Sequence, residues 1–223
     1  LLKLDLKRKE KGVVFSCKLP TTALVLFSCK SKTNLAGIPK RGYASRTGRL
    51  DIPIRTSYFV MTSKYIRDAL KPRVSIVILG GRYSRIHIML DPDFWSEFGG
   101  ETEREVIEYF RESILKRKRA AVLREGLYEA VQRYVHQGYV PAVLRERGRE
   151  SLAALTSRPC RPIVLIVGTD CDPPEWVEKV FRCSAFSLGS RSYLALHAAL
   201  FTLYTIALVS KLGMPLSKRA CVP

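Results

Sequence analysis

Near-continuous apolar runs alternate with stretches of helical spacing along most of the chain. From Pro53, apolar residues recur at Ile54, Tyr58, Met61, Tyr65 and Ile66, which predicts one face of a helix stopped by Lys71-Pro72. Val74-Ser-Ile-Val-Ile-Leu79 is almost unbroken, as expected of a strand covered on both faces. Gly80-Gly81 predicts a hairpin turn, and Arg85-Ile-His-Ile-Met-Leu90 alternates like a strand with one face in water. A loop rich in Asp, Pro and Gly follows, from Asp91 to Gly100. Glu101–Arg119 reads as a helix, with acids at its start, Lys116-Arg-Lys-Arg119 at its end, and an inward stripe of Ile107, Phe110 and Ile114. Leu123, Leu127, Val131 and Tyr134 mark another helix, closed by Gly138. Strands are predicted at Tyr139–Leu144, Pro162–Gly168 and 184–188. Asp172-Pro-Pro-Glu-Trp176 reads as the start of a short helix capped by Asp172. An apolar helix ends the order. Strands interleaved with helices predict an α/β fold with a largely parallel sheet flanked by helices.

The N-terminal part is different. Residues 1–50 hold twelve Lys/Arg against Asp5 and Glu10, and residues 1–12 are expected to be a basic tail, disordered or upstream of the native start. Val13-Val-Phe-Ser-Cys-Lys18 recurs as Val25-Leu-Phe-Ser-Cys-Lys30. The two copies either pair as a hairpin or the second belongs to an insertion around residues 23–42. The remainder, 13–223, is expected to be a single domain.

Composition adds a partner. The 223 residues are 47% hydrophobic and 26% charged, an ordinary globular balance. Lys and Arg number 38 against 20 Asp and Glu, a formal charge of +18. Such an excess repels itself and favours a polyanion that releases counterions on binding, nucleic acid first; solvated Lys/Arg faces are the alternative. Six cysteines without a CxxC pair, and three histidines, argue against a zinc site built from close pairs. The stretch Ala23–Phe27 is too short for a secretory signal, so the chain is expected to be cytoplasmic with mostly free thiols, a disulfide in a heat-adapted protein being the alternative. The one membrane candidate, Tyr193–Leu212, carries His197, two Thr and a Ser and reads better as a buried helix.

The candidate chemistry lies in three places: Gly48-Arg-Leu-Asp51, Ile166-Val-Gly168, and Ser187-Leu188 through His197. In this order and spacing they resemble the archaeal tRNA pseudouridine N1-methyltransferase family of SPOUT methyltransferases. The resemblance covers most of the chain, starting near Val13–Thr22, similar to the family's first strand, and resuming at Gly48. It implies a C-terminal trefoil knot, a homodimer, and S-adenosyl-L-methionine held by three loops. One begins at Leu144 and includes Gly148, one follows Gly168, and one spans Ser187, Leu188, Gly189 and Leu194. No metal is implied. The implied reaction is N1-methylation of a pseudouridine in tRNA; a SPOUT enzyme acting on ribosomal RNA or a ribose 2'-hydroxyl, and a non-catalytic RNA-binding relative, are the alternatives.

A ring nitrogen that carries a proton needs a base or a stabiliser of its anion. Asp51 is the candidate to take or relay that proton, and Arg49 to hold a phosphate or base oxygen; a pair with Arg49 and a cap for the next helix is the structural alternative for Asp51. Arg55, Arg67 and Arg191 are candidate RNA contacts, Ser192 lies in the same loop as Arg191, and Lys116–Arg119 would extend a basic face. His197 falls where the family has a histidine and reads as a core residue. The chain departs from the family at Thr169-Asp170, where members carry Asp-His, and at Ala198, where they usually carry Cys. Asp93 is also separated from Glu103-Arg104 by an inserted loop.

Overall fold

Thr22–Ser28 (β1) buries all seven of its residues, and both of its edges are paired. The computed structural model describes residues 21–32, 46–79, 85–156, 162–189 and 194–212. After β1 come Asp51–Thr62 (α1), Lys64–Leu70 (α2), Arg73–Ile78 (β2), Ile86–Leu90 (β3), Glu103–Leu115 (α3) and Ala120–Leu123 (β4). Leu127–His136 (α4), Val140–Leu144 (β5), Glu150–Ser151 (β6), Leu152–Thr156 (α5) and Ile163–Gly168 (β7) continue the chain, and Trp176–Phe181 (α6), Ser184–Ser187 (β8) and Ala195–Leu212 (α7) complete it.

The strands form one eight-stranded sheet in the order β4-β3-β2-β1-β7-β5-β8-β6. Pairing is parallel from β2 through β6; β3 runs antiparallel to both β2 and β4. This is the expected α/β architecture. Strand geometry sends alternate side chains to opposite faces. In β1, Leu24 and Leu26 point into the core beneath α1, α2, α3, α5 and α7, while Ala23, Val25 and Phe27 point into the one beneath α4 and α6. A run apolar at every position is therefore what a strand covered twice requires.

The sheet corrects several expectations. The range assigned to an insertion, 23–42, begins with the strand at the middle of the sheet. Because β2 and β7 occupy both edges of β1, it makes no hairpin with the first copy of its repeat. That copy, Val13–Lys18, and residues 1–12 lie outside the described residues, as do the Gly80-Gly81 turn and residues 33–42 of the range. The helix predicted over 101–119 is shorter. Thr102 caps it, its hydroxyl accepting from Glu105 N–H while the Glu105 carboxylate accepts from Thr102 N–H. Arg117 and Arg119 then adopt left-handed backbone, φ 52° and 53°, and the chain turns into β4. Leu123 thus belongs to a strand, too short to show a period. The helix from Pro53 breaks at Ser63, whose ψ of 108° is extended. Asp172 is not a cap: the helix starts at Trp176, behind Glu175. Each residue before a proline is biased away from helical backbone, which disfavours a helix beginning at Asp172-Pro-Pro.

β3 is also more enclosed than its alternation implied, because β4 pairs with its outer edge and Glu125 closes on His87. His87 is fully buried, and its Nδ1 donates to Glu125 Oε2 at 3.2 Å. Desolvation holds the imidazole pKa below its usual 6.5. Arg133, donating to Glu125 through Nε at 3.0 Å, brings that carboxyl down to about 2. The signs agree. A depressed histidine costs stability as pH falls below 6.5, where the unfolded chain takes up a proton the fold refuses; a depressed carboxyl costs stability as pH falls from 4.5 toward about 2. Stability by urea titration should therefore decline from pH 7 to pH 5, and His87→Gln should flatten that decline. An equal slope in both proteins would remove His87 from the effect. Among the described residues, no helix is long and apolar enough to cross a membrane.

Candidate functional site

Parallel strands release their following loops at the same sheet edge, and β7, β5 and β8 are neighbours. The loops after Leu144, Gly168 and Ser187 therefore meet in one cleft, of about 380 Å³. Crevices at the carboxyl ends of parallel strands are the usual ligand sites of open α/β sheets. Leu144, Gly168, Ser187, Leu188 and Leu194 all line it, with Ala198 from the first turn of α7.

Each wall is held by specific contacts. In the first, Arg145 N–H donates to the Phe186 carbonyl at 2.9 Å. Its guanidinium pairs with Glu178 and lies 3.7 Å from Asp172. Arg145 Nη2 is buried with no hydrogen-bond partner. In the second wall, Thr169 donates to the Phe27 carbonyl through N–H at 2.8 Å and Oγ1 at 3.0 Å. Asp170 accepts from Cys29 N–H at 3.0 Å, Lys30 N–H at 2.9 Å and Ser28 Oγ at 3.0 Å. Thus Asp170, one of the departures from the family pattern, fastens this loop to the turn after β1. In the third wall, Ser187 Oγ lies 2.9 Å from the carbonyls of Glu146 and Gly189 and accepts from Gly189 N–H at 3.2 Å.

The glycines act differently from a simple opening for ligand. A Cβ on Gly168 would stand 2.0 Å from the Cys171 carbonyl oxygen, and one on Gly148 2.3 Å from the Phe186 carbonyl carbon. Both let the chain approach itself. Gly148 and Gly189 are not among the residues lining the cleft; Gly189, at φ +134°, turns the chain beside it.

Arg49 and Asp51 stand apart from the cleft lining. They form a two-point ion pair, Nε to Oδ1 at 3.2 Å and Nη2 to Oδ2 at 3.3 Å, with Asp51 3% exposed and Arg49 55% exposed. Asp51 makes no side-chain cap on α1. A chain of contacts joins the pair's segment to the cleft. Ser31 Oγ donates to the Gly48 carbonyl at 3.2 Å, Lys32 N–H to the Thr47 carbonyl at 2.9 Å, and the turn 28–31 is the one Asp170 holds.

Other candidates fall elsewhere. Arg55 pairs with Glu103 at 3.2 Å and Arg67 with Asp68 at 3.5 Å, both on exposed surface. Lys118 and Arg119 bind Glu97, tying the end of α3 to the loop 91–100. His197 is exposed on α7, on the same side as the exposed Phe201 and Tyr204, which corrects its reading as a core residue. Arg191 and Ser192 lie outside the described residues.

Cys29 and Cys171 are joined by a disulfide, with Cα atoms 6.2 Å apart, so these two are not the free thiols expected. With Asp170 they bring three side chains of metal-ligating type within 4.8 Å of one another. Nothing in their spacing of 142 residues signals this meeting, because only the β1–β7 pairing creates it. In the structure the sulfurs bind each other and the carboxylate is engaged by the turn.

No protein-family model matches the chain, and no curated protein matches it. Solved structures do. Nep1 of Archaeoglobus fulgidus, bound to S-adenosylhomocysteine, is 16% identical over 85% of this chain and 99% of its own, with a TM-score of 0.56. An RNA methyltransferase described as putative, from Bacillus anthracis, shares 11% identity over 85% of this chain and 94% of its own, TM-score 0.41. The SpoU methyltransferase AviRb of Streptomyces viridochromogenes, in complex with AdoMet, shares 15% over 86% of this chain and 60% of its own, TM-score 0.42. At these identities it is the fold that the chain shares with Nep1.

Proposed function

We propose that this protein is an S-adenosylmethionine-dependent RNA methyltransferase of the SPOUT type, acting on N1 of a pseudouridine in tRNA. The observation that carries the reading is the convergence of the three C-terminal loops on one cleft, in a chain with the fold of a structure that holds S-adenosylhomocysteine. The cleft fits such a ligand. Its volume, about 380 Å³, is within the range of small-molecule sites. Leu144, Leu188, Leu194 and Ala198 offer apolar cover for an adenosine, and carbonyls and N–H groups of the same loops offer its edge partners. Glu146 and Asp172 supply negative charge beside a sulfonium. When bound, that cofactor supplies an electrophilic methyl group.

The chain's own residues have three tasks. The loops after β5, β7 and β8 orient the ligand and exclude water from its apolar side. Arg49, half in solvent, meets an RNA phosphate or a base oxygen. Asp51 takes the proton from the ring nitrogen once Arg49 turns to the RNA. The excess of basic residues holds the RNA through its phosphates, with Arg55, Arg67 and Arg191 as contacts, and the C-terminal segment is knotted as in the SPOUT fold. Leu194, Phe201, Tyr204 and Leu208 leave an apolar stripe exposed on and just before α7. A second copy of the chain covers it, forming a cytoplasmic homodimer.

The test has two parts. Purified protein should bind S-adenosylhomocysteine by calorimetry, and should label a pseudouridylated tRNA transcript but not the unmodified one. Equal labelling of both transcripts would remove pseudouridine as the acceptor, and no binding at saturating ligand would leave only an RNA-binding relative. Sedimentation of the same sample as a monomer at micromolar concentration would remove the dimer.

A further inference from the structure

The Cys29–Cys171 bond joins two segments that the fold uses differently. Cys171 belongs to the loop after β7 and lines the cleft. Cys29 opens the turn that carries the Gly48–Asp51 segment. Gly48 sits so close to that turn, at φ +65°, that a Cβ would fall 2.0 Å from the Lys30 carbonyl oxygen. Besides the disulfide, Asp170 hydrogen-bonds the turn, and Thr169 holds the cleft wall to the end of β1 at the Phe27 carbonyl. Both cysteines are only partly buried.

We propose that Cys29 and Cys171 are a reversible thiol–disulfide pair whose oxidation state sets the order of the cleft wall and of the turn beneath Gly48–Asp51, and with it ligand affinity. The step is a dithiol exchange. A dithiol reductant attacks one sulfur, the bond between Cys29 and Cys171 breaks, and the reductant closes to its own disulfide. Its two electrons and two hydrogens leave two protein thiols; a low-molecular-weight disulfide reverses the exchange. Oxidised, the pair fixes both segments, so little ordering remains for ligand binding. Reduced, the segments keep their hydrogen bonds and the β1–β7 pairing but lose the covalent link, and the ligand must order what the bond had held. The affinity part rests on the cofactor reading above; the coupling of the two segments does not.

Hydrogen exchange of the full chain tests the coupling. On adding dithiothreitol, amide exchange in 28–32 and 168–172 should rise together, and Cys29→Ser should exchange at the reduced rate with or without reductant. S-adenosylhomocysteine should bind reduced protein and Cys29→Ser about three- to tenfold more weakly than oxidised protein. Cys171→Ser checks that the effect belongs to the bond and not to position 29. Exchange and affinity that ignore reductant in the wild-type chain would overturn the proposal, as would peptide mapping that finds both thiols unpaired after air oxidation. Exchange that responds while neither state binds the ligand supports the coupling and overturns the cofactor reading instead.

Discussion

Replacing Gly168 by alanine is expected to weaken binding at the cleft by at least about tenfold while leaving the protein folded. A methyl group there would need to occupy space 2.0 Å from the Cys171 oxygen and 2.9 Å from its carbonyl carbon. Neither atom is the tip of a flexible side chain, so the backbone of the β7 loop must move by about an ångström, and overpacking of this kind costs about 1–3 kcal/mol. For a chain of this size that lowers the melting temperature by roughly 5 °C. The effect on binding should be larger than the effect on folding. The displaced segment is one wall of the cleft, and the same movement pulls on Asp170 and on the turn after β1. Affinity for S-adenosylhomocysteine should fall by at least about tenfold, equivalent to about 1.4 kcal/mol. Gly99→Ala, where a Cβ meets nothing within 4 Å, should change neither quantity. Wild-type affinity in Gly168→Ala, measured by calorimetry, would mean that this loop does not shape the site.

Asp51→Asn should separate chemistry from binding. The asparagine keeps the size of the aspartate and one oxygen to accept from Arg49, and the ion pair it replaces joins a buried carboxylate to a guanidinium that is 55% exposed. Such a half-exposed pair is worth about 0–1 kcal/mol, so the melting temperature should move little. Asn cannot take a proton. If Asp51 serves as the base, single-turnover methyl transfer should slow by about a hundredfold or more. Affinity for S-adenosylhomocysteine should stay within about twofold, because Asp51 does not line the cleft. Arg49→Lys would keep the charge but lose the two-point geometry, so it should weaken RNA binding more than it slows the bound complex. Unchanged transfer in Asp51→Asn would leave the pair as a brace for α1 and nothing more.

Several elements could be read from local spacing because burial on one side or on two leaves its mark on neighbouring residues. The runs Val74–Leu79 and Pro162–Gly168 predict strands because nearly every side chain in them is apolar, and Arg73–Ile78 and Ile163–Gly168 are strands in the sheet interior. Leu127, Val131 and Tyr134 fall on one side of a helix that meets the sheet, and Gly138 at φ +87° ends it. The loops after Leu144, Gly168 and Ser187 could likewise be placed at strand ends, and parallel pairing was enough to put them on a common edge. β4 leaves no such mark, since Ala120–Leu123 has too few residues to show a period and is held by pairing with β3.

The two copies of Val-x-Phe-Ser-Cys-Lys show where local reading stops. Their side chains are nearly the same, so their patterns cannot say which becomes the central strand. That is settled by partners far along the chain, β2 and β7, which accept Thr22–Ser28 on both edges. Cys29 and Cys171 are separated by 142 residues and meet only through this pairing. Composition and periodicity carry the class of fold, its basic character and the types of its elements, because those follow from contacts between each residue and its near neighbours or with water. That Thr22–Ser28 lies between β2 and β7, what lies beside the cleft and which thiols meet depend on contacts between distant segments, which acquire energy only when the whole sheet assembles.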